Sequence, residues 1–415
     1  MEIYRGNIVF SKSEKELCEY LNSFIVVDNG VVIDIFETLP KEYRDNEIID
    51  FGDDVIIPAF NDLHVHAPQY PNRGIAMDKL LANWLNDYTF PLEAKYKDIK
   101  FAKEVYKKFV FDMVKHGTLH AVIFASIYNP STDYLIDMLE DMHIKSYVGK
   151  VNMDKGSPDY YVEETEQSIK DTEEFLKKHK DNEFAKPILT PRFAPTCSFE
   201  LLKKLGNLAS TYNVGCQTHI VESLWETEEA KKCFPGCRCD MQIYKEAGLL
   251  NHKPFIAAHY IFPSEEDISL MKEVDGYAVQ CPDSTLNVIA GIMKTGNLMD
   301  MGANIGYGSD ISAGSYLGIY RQIASSVRYS KLKNFYEPEY RTINFKEAFY
   351  NATKGSGRIF GKVGSLEKGY DFDALVIGGL QDDFNKISPS ELVERFCYSG
   401  DVSNIHHRFL KGYKI

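Results

Sequence analysis

"DVIIPAFNDLHVHAPQY", residues 54–70, opens on an apolar run and closes beyond two histidines set one residue apart. The run "DVIIPAF" (54–60) reads as a buried strand. Alternation along a strand sends residues i and i+2 to the same side. If the strand continues through residue 66, the imidazoles of His64 and His66 converge on one point. That pair is either packed polar core or half of a metal site, and the rest of the chain has to decide.

Working outward, short apolar runs recur at 118–126, 145–153, 185–193, 214–222, 254–260, 276–282 and 303–310, which with 54–66 makes eight. Charged, amphipathic stretches such as "KFAKEVYKKFVFDMVKHG" and "SFELLKKLGNLASTYN" lie between them. Strands separated by helical segments imply βα units and a parallel sheet. Eight such units over roughly 300 residues match a TIM-like (β/α)8 barrel. Both chain ends read differently, as short strands broken by turns; Asn29-Gly30 within "VVDNGVVIDI" is a strong hairpin signal. The expected division is a barrel over 58–363 and a small β domain assembled from 1–57 plus 364–415.

The 415 residues carry a formal net charge of −13, which argues against a nucleic-acid surface, since that needs a basic footprint. The first residues lack a basic segment followed by an apolar one, and no apolar run approaches the roughly 20 residues of a spanning helix. A cytoplasmic address without membrane partners is expected. Eight scattered cysteines in such a chain read as free thiols. Cys233, Cys237 and Cys239 cluster in "KKCFPGCRCD", whose spacing fits no zinc knuckle, and read as a surface loop.

In a (β/α)8 barrel, function sits at the C-terminal strand ends. Strand 1 ends in His64 and His66, strand 5 in "QTHIVES" (His219, Glu222), strand 6 in "AAHY" (His259) and strand 8 in "GYGSD" (Asp310). Taken singly, each has a bland reading: a satisfied polar strand end, or for Asp310 a helix cap. Taken together, four histidines and an aspartate at matching ends indicate a metal centre. Such a donor set suits one zinc ion, with iron(II) as the alternative.

The pattern "PAFNDLHVHA…QTHIVES…AAHY…GSD" resembles the amidohydrolase superfamily. That resemblance implies a metal-bearing barrel with a β-sandwich built from both chain ends. Strand 4 ends in "TPRFAP", while Lys186 begins that strand at the opposite mouth, so a lysine-bridged pair of metals is disfavoured. The H-x-x-E after strand 5 is similar to the mononuclear deaminase branch. By that likeness Glu222 passes protons beside the water, Asp310 takes the water's other proton, and His259 orients the reacting centre. "HAPQY" (66–70), "NWLNDYTFPLE" (83–93), "TPRFAPTCS" (190–198), "GKVNMD" and "CPDSTL" look like the guanine-deaminating members.

The likeness implies conversion of guanine to xanthine and ammonia in purine catabolism or salvage, by a homodimer. It also implies purine contacts from Gln69, Arg192 and Phe193, with Trp84 in a lid-like loop over 83–93. Arg192 suits a carbonyl acceptor, and Gln69 offers both a donor and an acceptor. The plain alternatives are a surface ion pair for Arg192 and core packing for Trp84 and Phe90. Ala59 stands where these relatives commonly carry glycine. Asp283 stands where they carry Asn, Thr or Ser, and it adds a charge near strand 7. Rival activities are deamination of 8-oxoguanine, cytosine or another ring, and a catalytically inactive scaffold.

Overall fold

The computed structural model describes residues 1–415. Its first strands are β1 (Glu2–Ser11), β2 (Leu17–Asp28), β3 (Val31–Phe36), β4 (Ile48–Pro58) and β5 (Phe60–His66). The opening stretch is therefore two strands rather than the single one expected over 54–66. The chain changes sheets at Ala59, whose N–H donates to the Asp373 carbonyl at 2.9 Å, while the next N–H, from Phe60, donates to Gly117 at 3.0 Å. Pro58, having no N–H to give a ladder, stands at the break. Both halves are extended, and the apolar run over 55–60 crosses the break, so nothing in local composition marks the transfer.

The middle of the chain supplies β6 (Thr118–Phe124), β7 (Ser146–Gly149), β8 (Val151–Asn152), β9 (Ala185–Pro187), β10 (Thr190–Pro191), β11 (Cys216–Ile220), β12 (Phe255–His259), β13 (Tyr277–Gln280) and β14 (Asn304–Tyr307). Every ladder among β5–β14 is parallel. They form a sheet of order β5-β6-β7-β9, a second of order β11-β12-β13-β14, and the pair β8-β10. Single bridges Leu189–Cys216 and Phe193–His219 connect the two groups. At the other side the Asp310 N–H donates to the His64 carbonyl at 2.9 Å, joining the exit of β14 to β5.

Helices alternate with these strands. The helix Ile99–Lys115 starts where the Asp98 side chain accepts the Lys100 N–H, and it buries Ala102, Val105, Tyr106, Phe109, Val110 and Met113. That three-and-four spacing is one face of a helix against a sheet. Ser198 caps Phe199–Tyr212 in the same way, through the Leu201 N–H. No helix is long and apolar enough to cross a membrane.

Strands from both ends build a separate seven-stranded sheet. With β15 (Ala374–Ile377), β16 (Ile405–Leu410) and β17 (Tyr413–Lys414), its order is β17-β16-β15-β4-β1-β2-β3. The expected hairpin is present, with Asn29 at φ 49° and Gly30 at φ 74° between β2 and β3. Tyr4 on β1 and Phe409 on β16 lie three strands apart in this order. A flat sheet would separate them by about 14 Å, yet their ring centroids are 5.0 Å apart. The sheet therefore curls around an apolar cluster that includes Tyr4, Ile56, Phe372 and Phe409.

Of the cysteine cluster, Cys233 is exposed at the end of a helix. Cys239 is buried immediately before the next helix, so it belongs to the packing and not to a surface loop.

Candidate active site

The C-terminal ends of β5, β11, β12 and β14 bring His64, His66, His219, His259 and Asp310 together. His64 Nε2 lies 3.2 Å and His66 Nε2 3.5 Å from Asp310 Oδ1, and His259 Nε2 lies 3.9 Å from Asp310 Oδ2. His66 Nε2 and His219 Nε2 are 3.0 Å apart. Glu222 Oε1 stands 3.7 Å from His259 Nε2. All six are buried. Gly308 permits this approach: a Cβ there would sit 2.7 Å from His64 Cβ and 2.8 Å from Cys281 Sγ. The chain turns sharply at these ends, with left-handed backbone at Val221 (φ 50°), His259 (φ 72°) and Asp310 (φ 45°). Such strain in non-glycine residues concentrates at functional sites. Asp310 caps no helix, since the next one begins at Ile319.

Protonation follows from the surroundings. Burial drops His64 to about 3. Burial together with the other imidazoles carries His66 and His219 well below the ordinary range. Burial does the same to His259, against an opposing pull from Asp310. The contacts to Asp310 thus come from neutral imidazoles and are not ion pairs. His219 Nδ1 lies 2.6 Å from the Arg192 carbonyl; an oxygen that only accepts fixes the proton on Nδ1 and leaves the Nε2 lone pair facing the cluster. Burial, with Glu226 and Asp310 adding negative charge, pushes the Glu222 carboxyl well above its usual value.

These residues fit a metal ion. Neither ring nitrogen of His64, nor Nδ1 of His259, has a hydrogen-bond partner although all are buried. Unsatisfied buried polar atoms are costly, and coordination through one nitrogen of His64 would relieve part of that cost. His64, His66 and His219 each offer a ligand atom, all within 4.8 Å of one another. His64, His259 and Cys281 meet the same spacing, but burial pushes the Cys281 thiol well above its ordinary range, against the thiolate a metal takes.

Beside the cluster, a cavity is lined by Gln69, Trp84, Arg192, Phe193, Glu222 and Trp225, among others. The family model described as "Amidohydrolase family" matches residues 55–403. A guanine deaminase of Dictyostelium discoideum is 34% identical over all of this chain and 98% of its own length. One from Homo sapiens is 31% identical over all of this chain and 96% of its own. The chain belongs to the amidohydrolase family, in its guanine deaminase branch. A crystal structure of guanine deaminase from C. acetobutylicum with bound guanine in the active site superposes with a TM-score of 0.97 at 41% identity, covering 100% of this chain and 99% of that one.

In this amidohydrolase the segment 83–93 is not a loop. Leu81–Trp84, Leu85–Thr89, Phe90–Glu93 and Ala94–Lys97 form successive helical turns, of π type over 85–89. Trp84 and Phe90 are buried, so Trp84 both packs and lines the cavity. Arg192 is no surface residue either: it is buried, 5.1 Å from the Phe90 ring, and paired with Glu93. Asp283 turns from the cavity and accepts the Ser315 N–H at 2.6 Å.

Three carboxylates escape the sequence reading. Asp62 accepts the N–H groups of His64 and Ser309 at 3.1 and 3.0 Å, and the Ser309 hydroxyl at 2.5 Å. It clasps the two strand ends that bear His64 and Asp310, and burial raises it to about 7. Glu226 accepts the Glu222 N–H at 2.7 Å. Glu93 is buried between Arg192 and Gln69. The available signal was an acid inside apolar surroundings: Asp62 two residues before His64, and Glu93 closing "YTFPLE".

Proposed function

We propose that this chain hydrolyses guanine to xanthine and ammonia in purine catabolism or salvage. His64, His66, His219, His259 and Asp310 would hold one zinc ion, with iron(II) as the alternative. When bound, the ion supplies Lewis acidity that makes water acidic enough to ionise near neutral pH. Gln69, Arg192, Phe193 and Trp84 bind and orient the purine with C2 toward the cluster. Glu222 takes a proton from the water at its carboxylate and delivers it to ring N3. Asp310 holds the second proton until the amino group departs as ammonia. His259 orients the oxygen that becomes the C2 carbonyl. The C2–N bond breaks, the C2–O bond forms, and no redox partner is needed.

One observation carries this reading: Glu222, the four donors His66, His219, His259 and Asp310, and the three residues Gln69, Arg192 and Phe193 line one cavity, with His64 in contact with that cluster. The likeness to a deaminase crystallised with guanine supports the same substrate. The reading includes a closed (β/α)8 barrel over 58–363, a β-sandwich from 1–57 plus 364–415, a homodimer and a cytoplasmic address. Ammonia release across a panel of purines and pyrimidines tests it. Guanine should be turned over best by metal-replete protein; preference for cytosine, adenosine or 8-oxoguanine would overturn it.

A further inference from the structure

Glu93 lies at the meeting point of two residues that face the purine cavity. Its Oε2 accepts Arg192 Nη1 at 2.6 Å, and its Oε1 accepts both Arg192 Nη2 at 3.3 Å and Gln69 Nε2 at 2.8 Å. The side chains of Glu93 and Arg192 are 1% and 3% exposed, so solvent screens neither. A carboxylate only accepts hydrogen bonds. Gln69, whose amide could otherwise face either way, must therefore turn Nε2 to Glu93, because the flipped form would set oxygen against oxygen. Its carbonyl Oε1 is left without a protein donor and available as an acceptor to a ring N–H in the cavity that Gln69 lines.

The same contact alters what Arg192 offers. Two of its donors are spent on Glu93, and the charge of the pair cancels. What remains toward the cavity is a set of N–H donors suited to a carbonyl oxygen, without the net positive field that would draw an anion. A buried anionic ring would find no net positive charge beside it to compensate its own, which is costly in a dry site. Glu93 also lies within the run of helical turns that carries Leu81, Trp84 and Leu85 along the cavity wall, so one carboxylate links wall, reader and donor.

We propose that Glu93 is a positioning and specificity-setting residue: it presents Gln69 as an acceptor and neutralises Arg192, so that the pocket takes a neutral lactam ring and rejects the ring's anion. The proposal rests on the guanine deaminase reading above. Xanthine is the probe, since its ring loses a proton near neutral pH and so samples both forms. Steady-state kinetics with guanine, and inhibition by xanthine below and above its ionisation, are measured on wild type, Glu93→Gln and Glu93→Asp, with metal content and melting temperature on each sample.

In wild type, xanthine should inhibit more weakly once ionised. Glu93→Gln should keep its metal, raise KM for guanine roughly 10- to 100-fold as the buried Arg192 loses its partner, change kcat less, and let ionised xanthine bind at least as well as the neutral form. Glu93→Asp keeps the charge at shorter reach; it should raise KM yet still reject the anion, and it carries the test if Glu93→Gln folds poorly. An unchanged KM and xanthine profile in Glu93→Gln, or lost rejection in Glu93→Asp, overturns the proposal. Absence of guanine turnover by wild type would instead overturn the activity itself.

Discussion

Two buried histidine–carboxylate sites involve strand β5, one through its own His64 and one through Asn61, which meets His120 of the neighbouring β6, and they are built to opposite ends. At one, His64 has no hydrogen-bond partner on either ring nitrogen. At the other, His120 has both filled: Nδ1 lies 2.8 Å from Asn61 Oδ1 and Nε2 lies 2.9 Å from Asp373 Oδ2. Asn61 in turn donates to the Thr353 carbonyl and the Ser356 hydroxyl, and Asp373 accepts the Lys411 N–H. That saturated network fastens the parallel strands to the terminal sheet. Burial does not separate a structural histidine from a candidate ligand, since His64 and His120 are both fully buried. The count of lone pairs left unused does.

The comparison breaks most visibly at His64. His64→Ala should purify without metal and without measurable turnover, as read by elemental analysis and ammonia release. Next, Glu222→Gln should keep its metal and lose roughly 10²–10⁴ in kcat; full activity with metal bound would remove the glutamate from the chemistry.

His120→Ala should do the reverse. It strands Asp373 as a buried charge and should cost about 3–5 kcal/mol of stability, while folded protein keeps metal content and KM. Asp373 adds a pH signature. Burial alone would raise its carboxyl, but the hydrogen bond and charge of His120, with the Lys411 N–H, outweigh it and leave the group below its ordinary value. Its contribution is therefore present above the unfolded value of about 3.9 and is lost as pH falls through the lower folded one. In urea titrations the stability gap between wild type and Asp373→Asn should narrow below about pH 4. The smallest effect is expected from Ser356→Ala, about 1 kcal/mol, since Asn61 Nδ2 keeps Thr353.

Much of this was legible in the chain because strand ends carry a fixed meaning in a βα repeat. The runs over 214–222, 254–260 and 303–310 each contain a strand, and His219, His259 and Asp310, at or just beyond those strand ends, meet at the cluster. Three things were illegible for physical reasons. The transfer at Ala59 falls inside one continuous apolar, extended run, 55–60, so no change of period betrays it. The helical turns over 81–97 contain Asn86, Asp87, Thr89 and Pro91, ordinary turn formers. Their π-type stretch shifts the register and erases the 3.6-residue period. Glu93, Asp62 and Glu226 act through contacts made across the fold, and spacing along the chain does not encode those. His120 shows the converse: it stands near the start of β6, away from the strand ends that carry the cluster, and its partner lies 253 residues away.

The most direct measurement is guanine turnover against metal content, on protein stripped with a chelator and reloaded stepwise with zinc. Xanthine and ammonia should appear in equal amounts, with activity rising in proportion to metal and levelling at one ion per chain. Turnover that survives complete stripping, or reloaded protein that leaves guanine untouched, would contradict the account.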